Sequence, residues 1–431
     1  MSKEVKIGII GFGTVGSGVV ACLLENAEVI SRRTGIKPVV TRIADIDIEK
    51  DRGIQVPREI LVNDPSAVID TSDVIVELVG GTTFAKDIIL KALSKGKPVV
   101  TANKALLAEY GEEIFAAAEK SKADIYYEAS VAGGIPIIKA LREGFVANKI
   151  QSIHAILNGT CNYILTKMEN ENRNFNSALS EAKKMGYAEA NPTLDIDGTD
   201  TVHKTAILAS LAYGEWFGIK PIYKEGVDKI SIDDIRFAST LGYKLKLLAI
   251  IKQQNEDVQV RVHPALIRKN TMLANVSDVF NGVRIKGNPV GETLFYGRGA
   301  GRDATASAVV ADIVDVCLNL KFGSHRRVPS FRIGRQFRHI IPMEDIITRY
   351  YLRVNVFDKP GVIASVSSVL GTKSISISSI FQTEENQSNV TSLVILTHKA
   401  KEKLIREAVT EIEKFSFVRQ KLTLIRIEDL E

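Results

Sequence analysis

The chain has little cysteine and little tryptophan for its length, with three Cys and one Trp in 431 residues. Thiols as few and as scattered as Cys22, Cys161 and Cys317 build neither a disulfide framework nor a cysteine-rich zinc site. Cys22 and Cys317 fall in apolar helical patterns and read as buried free thiols. Long apolar runs are lacking as well. The run Leu247–Ile251 spans five residues, against the roughly 18–20 that a membrane helix needs. No apolar leader core precedes the strand-like start at Val5, so a soluble, cytoplasmic protein with no membrane partner is expected. An excess of one charge is missing too: 56 basic residues face 51 acidic ones. Without a basic stripe interleaved with aromatics, nucleic acid is not an expected partner. One local bias exists, Lys321–Arg338, with six Lys or Arg and no acid; it reads as a solvated linker.

What is present is ordinary globular composition, 45% hydrophobic and 25% charged, in a chain long enough for two or three domains. Strand-like runs at 5–10, 39–44, 74–79, 98–101 and 125–128 alternate with helical stretches at 17–24, 85–95 and 106–120. That alternation predicts a Rossmann-type, doubly wound parallel sheet over residues 1–130. Residues 131–320 mix helices with runs suited to antiparallel strands (150–157, 245–252, 258–262), an α+β domain. The small-residue helix 304–318 is expected to pack back on the first domain. After a linker at 321–345, residues 346–431 read strand, helix, strand, strand, helix, strand, the ferredoxin-like βαββαβ unit.

The glycine triplet Gly11-Phe12-Gly13-Thr14-Val15-Gly16 follows the first strand and opens a helix. Gly11 permits the tight turn, Gly13 lets backbone approach a pyrophosphate, and Gly16 lets helix and strand pack closely. The helix N-terminus then faces the phosphates with its positive dipole end. Asp45, after the second strand, suits a ribose 2′-hydroxyl and NAD. It lies 29 residues beyond Gly16 rather than ~20, so residues 26–37 form an insertion. Arg42, Lys50 and Arg52 nearby suit a 2′-phosphate, leaving NAD and NADP both open. Thr82, within Gly80–Thr83, and Lys104, after Asn103, close the next two strands at the carboxyl edge where ligands bind in such sheets.

The richest stretch runs from Gly186 to Lys204, with four acids (Glu189, Asp195, Asp197, Asp200) between 189 and 200. Asp200 and Lys204 are i,i+4 neighbours on one helix face, continued by Ile207 and Leu211. A charged pair heading an apolar face is either mutually satisfied or functional, and a carboxylate-held lysine suits proton transfer to a substrate oxygen. His203 falls about 100° away from Lys204 on that helix and reads as packing or capping. The turn Glu128–Pro136 is either an interdomain connection or a set of carbonyls converging on a hard cation.

These residues together resemble the homoserine dehydrogenase family over nearly the whole chain. The resemblance rests on Gly11–Gly16, Asn103-Lys104, Glu128–Pro136, Asn158-Gly159-Thr160, Gly186–Lys204 and the late glycine turn Gly299–Ala308. It implies reversible NAD(P)-dependent reduction of L-aspartate 4-semialdehyde to L-homoserine, in threonine, methionine and isoleucine synthesis. Carried over, Lys204 is the general acid and Asp200 holds substrate and orients it. Glu189 binds the substrate amino group with Asp195 in support, and Lys104 lies between nicotinamide and substrate. Gly186 and Gly301 line the cofactor cleft. A structural Na⁺ or K⁺ is implied on Glu128 and the carbonyls of Val131, Gly133 and Ile135. The tail resembles an ACT domain, with Asp358, Gly361 and Val362 where such modules hold an amino-acid effector, here threonine, and a homodimer or tetramer is expected. Two other readings use the same ends of the chain: a non-catalytic nucleotide and amino-acid sensor, and a related amino-acid dehydrogenase.

Overall fold

A computed structural model describes residues 3–331, 339–382 and 389–430. The N-terminal part contains β1 (Lys3–Ile10), α1 (Thr14–Glu25), α2 (Ala27–Thr34), β2 (Ile36–Ala44), β3 (Leu61–Val62) and α3 (Pro65–Thr71). It continues with β4 (Val74–Glu77), α4 (Thr83–Ser94), β5 (Val99–Thr101), α5 (Lys104–Ser121) and β6 (Ile125–Tyr126). The middle holds α6 (Ile137–Lys139), β7 (Lys149–Ile156), α7 (Gly159–Glu171), α8 (Phe175–Lys184), α9 (Thr193–Ile196) and α10 (Thr199–Tyr213). Then come β8 (Tyr223–Lys224), α11 (Ile232–Thr240), β9 (Tyr243–Gln254), β10 (Asp257–Arg268), β11 (Phe280–Asn288), β12 (Gly291–Arg298) and α12 (Arg302–Phe322). The tail contributes β13 (Ile347–Phe357), α13 (Val362–Thr372), β14 (Ile377–Gln382), β15 (Val390–Thr397), β16 (Ala400–Lys401), α14 (Glu402–Ile412) and β17 (Thr423–Ile427).

The chain forms two compact units, one of Met1–Ile153, Asp200–Ile222 and Val279–Arg338, the other of His154–Thr199, Tyr223–Asp278 and His339–Glu431. In the first, six parallel strands lie in the order β3-β2-β1-β4-β5-β6. The order reverses between β2 and β4 on either side of β1, which opens a crevice at the strands' carboxyl ends. Strands buried on both faces need continuous apolar sequence, and Ile7, Ile9, Val74, Val76 and Val100 supply it, all buried. The expected insertion is α2, which brings the chain back to β2. Helix α12 packs on α1 so closely that a Cβ at Gly18 would lie 2.8 Å from Arg302 Cγ, and its Ala306, Val309, Ile313 and Val316 join the same core.

Within the described part of the basic stretch, residues 321–331, some groups are packed or hydrogen-bonded to the body of the unit. Lys321 donates to the Gly35 carbonyl, and Ser330 bonds the Ile125 amide and the Tyr127 hydroxyl. Phe331 packs with Phe115 and Trp216. Arg326 and Arg327 pair with Glu119 and Glu143 at the surface. Residues 332–338 of that expected linker lie outside the described residues.

In the second unit β9 and β10 form a long antiparallel hairpin, and β17, β13, β15 and β14 follow β10 in the sheet in that order. Counting only the tail's four long strands, the order is 4-1-3-2, with α13 and α14 packed on one face over Val354, Val366, Leu370, Ile405 and Ile412. This is the βαββαβ arrangement expected there. Among the described residues no helix is long and apolar enough to cross a membrane.

Candidate active site

Three glycines shape the turn between β1 and α1, each differently. Gly11 has φ +101°, and a Cβ there would lie 2.5 Å from the Leu78 carbonyl oxygen at the end of β4. A Cβ at Gly16 would run into the Gly11 carbonyl. Gly13 faces open space and N-caps α1, so the exposed side of the turn is the side left free for a ligand. Asp45 leaves β2 and turns inward: its Oδ2 accepts from the Phe12 amide at 2.6 Å, and its Oδ1 from Arg52 at 3.0 Å. The carboxylate therefore pins the glycine turn to β2. Of the nearby cations, Arg42 is committed to the Glu59 carbonyl.

Two further loops leave the carboxyl edge of the same sheet. Gly80 and Gly81 both have positive φ, and Thr82 N-caps α4. Asn103 N-caps α5 through its Oδ1 and the Leu106 amide, a cap worth about 1 kcal/mol, and this sets Lys104 on the first turn. Lys104 Nζ then lies 3.2 Å from Asp200 Oδ1, while Lys204 Nζ lies 2.7 Å from Asp200 Oδ2. One carboxylate is bridged by two lysines. Asp200 and Lys204 are each 8% exposed, and the Lys104 side chain is 41% exposed. Helix α10 is buried all round from Asp200 to Ser210, wider than the single apolar stripe its spacing predicts. His203 sits in that packing, where burial holds its pKa below the usual value.

Glu128 lies in a 3-10 turn rather than at the end of a strand. Its Oε1 and Oε2 accept from the amides of Ile138 and Lys139 at 2.8 and 2.7 Å, and its own amide donates to Asp312. Burial pushes both carboxyls up. Val131, Gly133 and Ile135 are buried beside it in sequence, and the Ile135 carbonyl accepts from Ile137. Gly133 would clash with the Gly299 carbonyl if it bore a Cβ, so this turn and the one at Gly299–Gly301 are packed together. Gly301, at φ +116°, N-caps α12 and is open.

In the second unit the Gly186–Thr199 segment is organised from below. Asn158, which N-caps α7, donates from Nδ2 to Asp195 Oδ1 at 2.7 Å, and the Cys161 thiol lies 3.2 Å from the Asp195 carbonyl. Asp197 pairs with Lys224. Gly186 (φ +75°) is open, and Glu189 is exposed on the loop. Asp358, Gly361 and Val362 line a cleft of about 370 Å³ between β13 and α13, and the Gln382 amide reaches Asp358 at 3.2 Å.

Residues 11–128 match the homoserine dehydrogenase NAD-binding domain, 136–314 the homoserine dehydrogenase family, and 350–417 the ACT domain. The chain belongs to the homoserine dehydrogenase family. It is 45% identical to the homoserine dehydrogenase of Neisseria gonorrhoeae over 99% of both chains. A homoserine dehydrogenase structure from Thiobacillus denitrificans covers 100% of this chain, and 99% of its own is matched, at 42% identity and a TM-score of 0.93. A hyperthermophilic archaeal homoserine dehydrogenase in complex with NADPH covers 75% of this chain, with 100% of its own matched, at 28% identity and a TM-score of 0.61. As a homoserine dehydrogenase the chain is an oxidoreductase with a nicotinamide-nucleotide domain and an ACT domain, which sets aside the sensor without chemistry. Two residues of this centre escaped the sequence reading, Glu77 and Asp312. The signal for Glu77 was there, an acid ending the otherwise apolar strand Val-Ile-Val-Glu. Asp312 hides within a helix whose face cannot be read from one sequence.

Proposed function

We propose that Lys204 is the proton donor for reduction of L-aspartate 4-semialdehyde to L-homoserine, on the observation that Asp200 joins Lys204 and Lys104. The bound nicotinamide supplies the hydride. As hydride adds to the carbonyl carbon, Lys204 Nζ passes its proton to the aldehyde oxygen, and in the reverse direction it takes the hydroxyl proton back. Asp200 Oδ2, 2.7 Å away, holds the lysine in place and shares the substrate. Lys104 presents a second positive charge to the same carboxylate, between nicotinamide and substrate. Glu189 takes the substrate amino group, and Asp195, steadied by Asn158, supports it. Gly11–Gly16, Asp45, Thr82, Gly186 and Gly301 form the cofactor contacts. Asp45 suits NAD and Arg52 beside it suits NADP, so both are cofactors to assay. Residues 1–130 with helix 304–318 form the cofactor domain, 131–320 the catalytic domain and 346–431 the ACT domain. Turnover of aspartate 4-semialdehyde with each reduced cofactor tests the reaction; folded protein silent with both would sink it.

A monovalent cation, Na⁺ or K⁺, fits the turn at Glu128. Each carboxylate and carbonyl oxygen that accepts one N–H keeps a second lone pair, and a cation offsets the burial of two neighbouring carboxyls, a task Arg142 shares. Exchanging alkali ions for choline is expected to lower the melting temperature of the wild type and not of Glu128→Gln. For regulation, threonine suits the ACT cleft, its ammonium on Asp358 and its carboxylate at the N-terminus of α13. Inhibition by threonine that persists in Asp358→Ala would remove that assignment. The edge strand β14 leaves Phe381 47% exposed, an edge suited to a homodimer or tetramer, which light scattering would measure. The pathway placement, threonine, methionine and isoleucine synthesis, follows from the product.

A further inference from the structure

Glu77 is fully buried at the carboxyl end of β4, and no step above uses it. Its place is unusual for an acid. Val74, Ile75 and Val76 before it are all apolar and buried, and among the described residues no lysine or arginine hydrogen-bonds to it. Dipoles satisfy the carboxyl instead. Oε1 accepts from the Val79 amide at 2.9 Å, and Oε2 from the Thr101 hydroxyl at 2.7 Å. Burying a carboxyl this way is costly unless every lone pair is met, and burial pushes its pKa up against those hydrogen bonds.

The partners lead in two directions. Val79 begins the Gly80–Thr82 loop on the way to α4. Thr101 is the cross-strand partner of Glu77 on β5, and its hydroxyl oxygen, having donated to Glu77, accepts from the Asn103 amide at 3.0 Å. Asn103 in turn donates from Nδ2 to the Gly81 carbonyl at 2.6 Å and caps the helix that starts at Lys104. The ring is closed: one carboxyl fixes both loops, and the loops fix each other. Its free end is Lys104, 3.2 Å from Asp200.

We infer that Glu77 is a positioning residue for the reductase reaction, acting through Thr101 and Asn103 to set Lys104 against Asp200 and to hold the Gly80–Thr82 loop beside it. This rests on the reading of Lys104 given above. Glutamine does not reproduce the carboxyl: with its NH₂ toward the Val79 N–H two donors face each other, and with its NH₂ toward Thr101 the hydroxyl must reverse and accept from both Asn103 and the amide. A ring bond is lost in the first case and reversed in the second.

The test is steady-state turnover of aspartate 4-semialdehyde by the full chain with saturating cofactor, for Glu77→Gln, Thr101→Val, the double variant and Lys104→Ala. Thr101→Val removes the same link without touching the buried acid, which covers the case in which Glu77→Gln does not fold. Misplacing a catalytic group by about 1 Å costs on the order of a hundredfold. Glu77→Gln and Thr101→Val are each expected to lower kcat by about ten- to a hundredfold, with KM for the aldehyde changed less. The double variant should be no worse than Glu77→Gln, because both break one relay. Wild-type kcat in folded Thr101→Val overturns the inference, and so do losses that multiply in the double variant. Lys104→Ala separates the two ideas. Its loss of activity beside an intact Thr101→Val keeps the lysine and removes the relay. An unaffected Lys104→Ala beside an impaired Glu77→Gln removes the lysine assignment and, with it, the route proposed for Glu77.

Discussion

The two units each build a turn from a strand, a glycine with positive φ and a helix, and they use it in opposite ways. At Gly11 the turn is closed: the position of a Cβ is filled by the carbonyl end of Leu78, and Asp45 ties the loop to the neighbouring strand. At Gly361, φ +91°, no described residue beyond its chain neighbours lies within 4 Å of that position, and the turn borders an open cleft. The same local device is rigid where neighbouring strands of a parallel sheet crowd it, and open at the end of a sheet covered on one face. A closed turn is set before its ligand arrives, which favours tight and oriented binding. An open one leaves room for the turn to change if a ligand fills it.

Buried acids repeat the contrast. In the first unit Glu77 is held by amides and a hydroxyl, and burial raises its pKa. In the second, Glu428 is equally buried but sits among Arg261, Lys252 and His154, which hold it well below the usual carboxylate range. The first arrangement positions backbone; the second ties β9 and β10 by charge to the residue that follows β17.

Each contrast can be broken by substitution. The largest effect expected is on the chemistry of the first unit: Lys204→Met should lower kcat by about 10²–10⁴-fold, the range of general acid catalysis. Cofactor affinity and amino-acid binding at the ACT cleft should stay as they were, measured by fluorescence titration and calorimetry. A kcat within a few-fold of wild type would end the acid–base assignment. Next, Glu428→Gln should cost about 3–5 kcal/mol at pH 7 by stranding buried cations. The folded pKa is depressed, so the unfolded chain binds more protons in acid. The stability due to Glu428 is present above its unfolded value of about 4.3 and is lost as pH falls through the folded one. Urea midpoints of wild type and variant should therefore converge on acidification; a gap that does not depend on pH would point to packing instead.

The turns themselves give the smaller effects. Gly11→Ala must accommodate both a left-handed residue and a clash with backbone, about 1–3 kcal/mol, with cofactor binding weakened along with it. Gly361→Ala meets only the left-handed penalty, about 1–2 kcal/mol. Thermal melts of the pair measure the difference, and a Gly361 variant as unstable as the Gly11 variant would show that the second turn is not open in solution.

Local patterning made the secondary structure legible, because strand and helix periodicity and turn chemistry depend on near neighbours. Strands β1, β2, β4, β5 and β6, helices α1, α4 and α5, the βαββαβ tail and the pairing of Asp200 with Lys204 are of this kind; α2, β3 and α3 are not. The hairpin β11–β12 and helices α7 and α8 were not resolved from a mixed middle segment, where apolar runs fit either period. The packing of residues up to Phe331 was hidden by their charge, since six cations predict solvent and say nothing of Ser330 and Phe331 between them.

By itself, the sequence determined which residue types stand at each strand end and which share a helix face, since those follow from spacing along the chain. Only the tertiary structure decided that Lys104 reaches Asp200 from a helix nearly a hundred residues away in the chain. It alone decided that Asp45 turns inward to the Phe12 amide and that Glu77 joins two loops. Each of these depends on strands and helices distant in sequence lying side by side. That arrangement is set by the shared burial of their apolar faces, which no local pattern encodes.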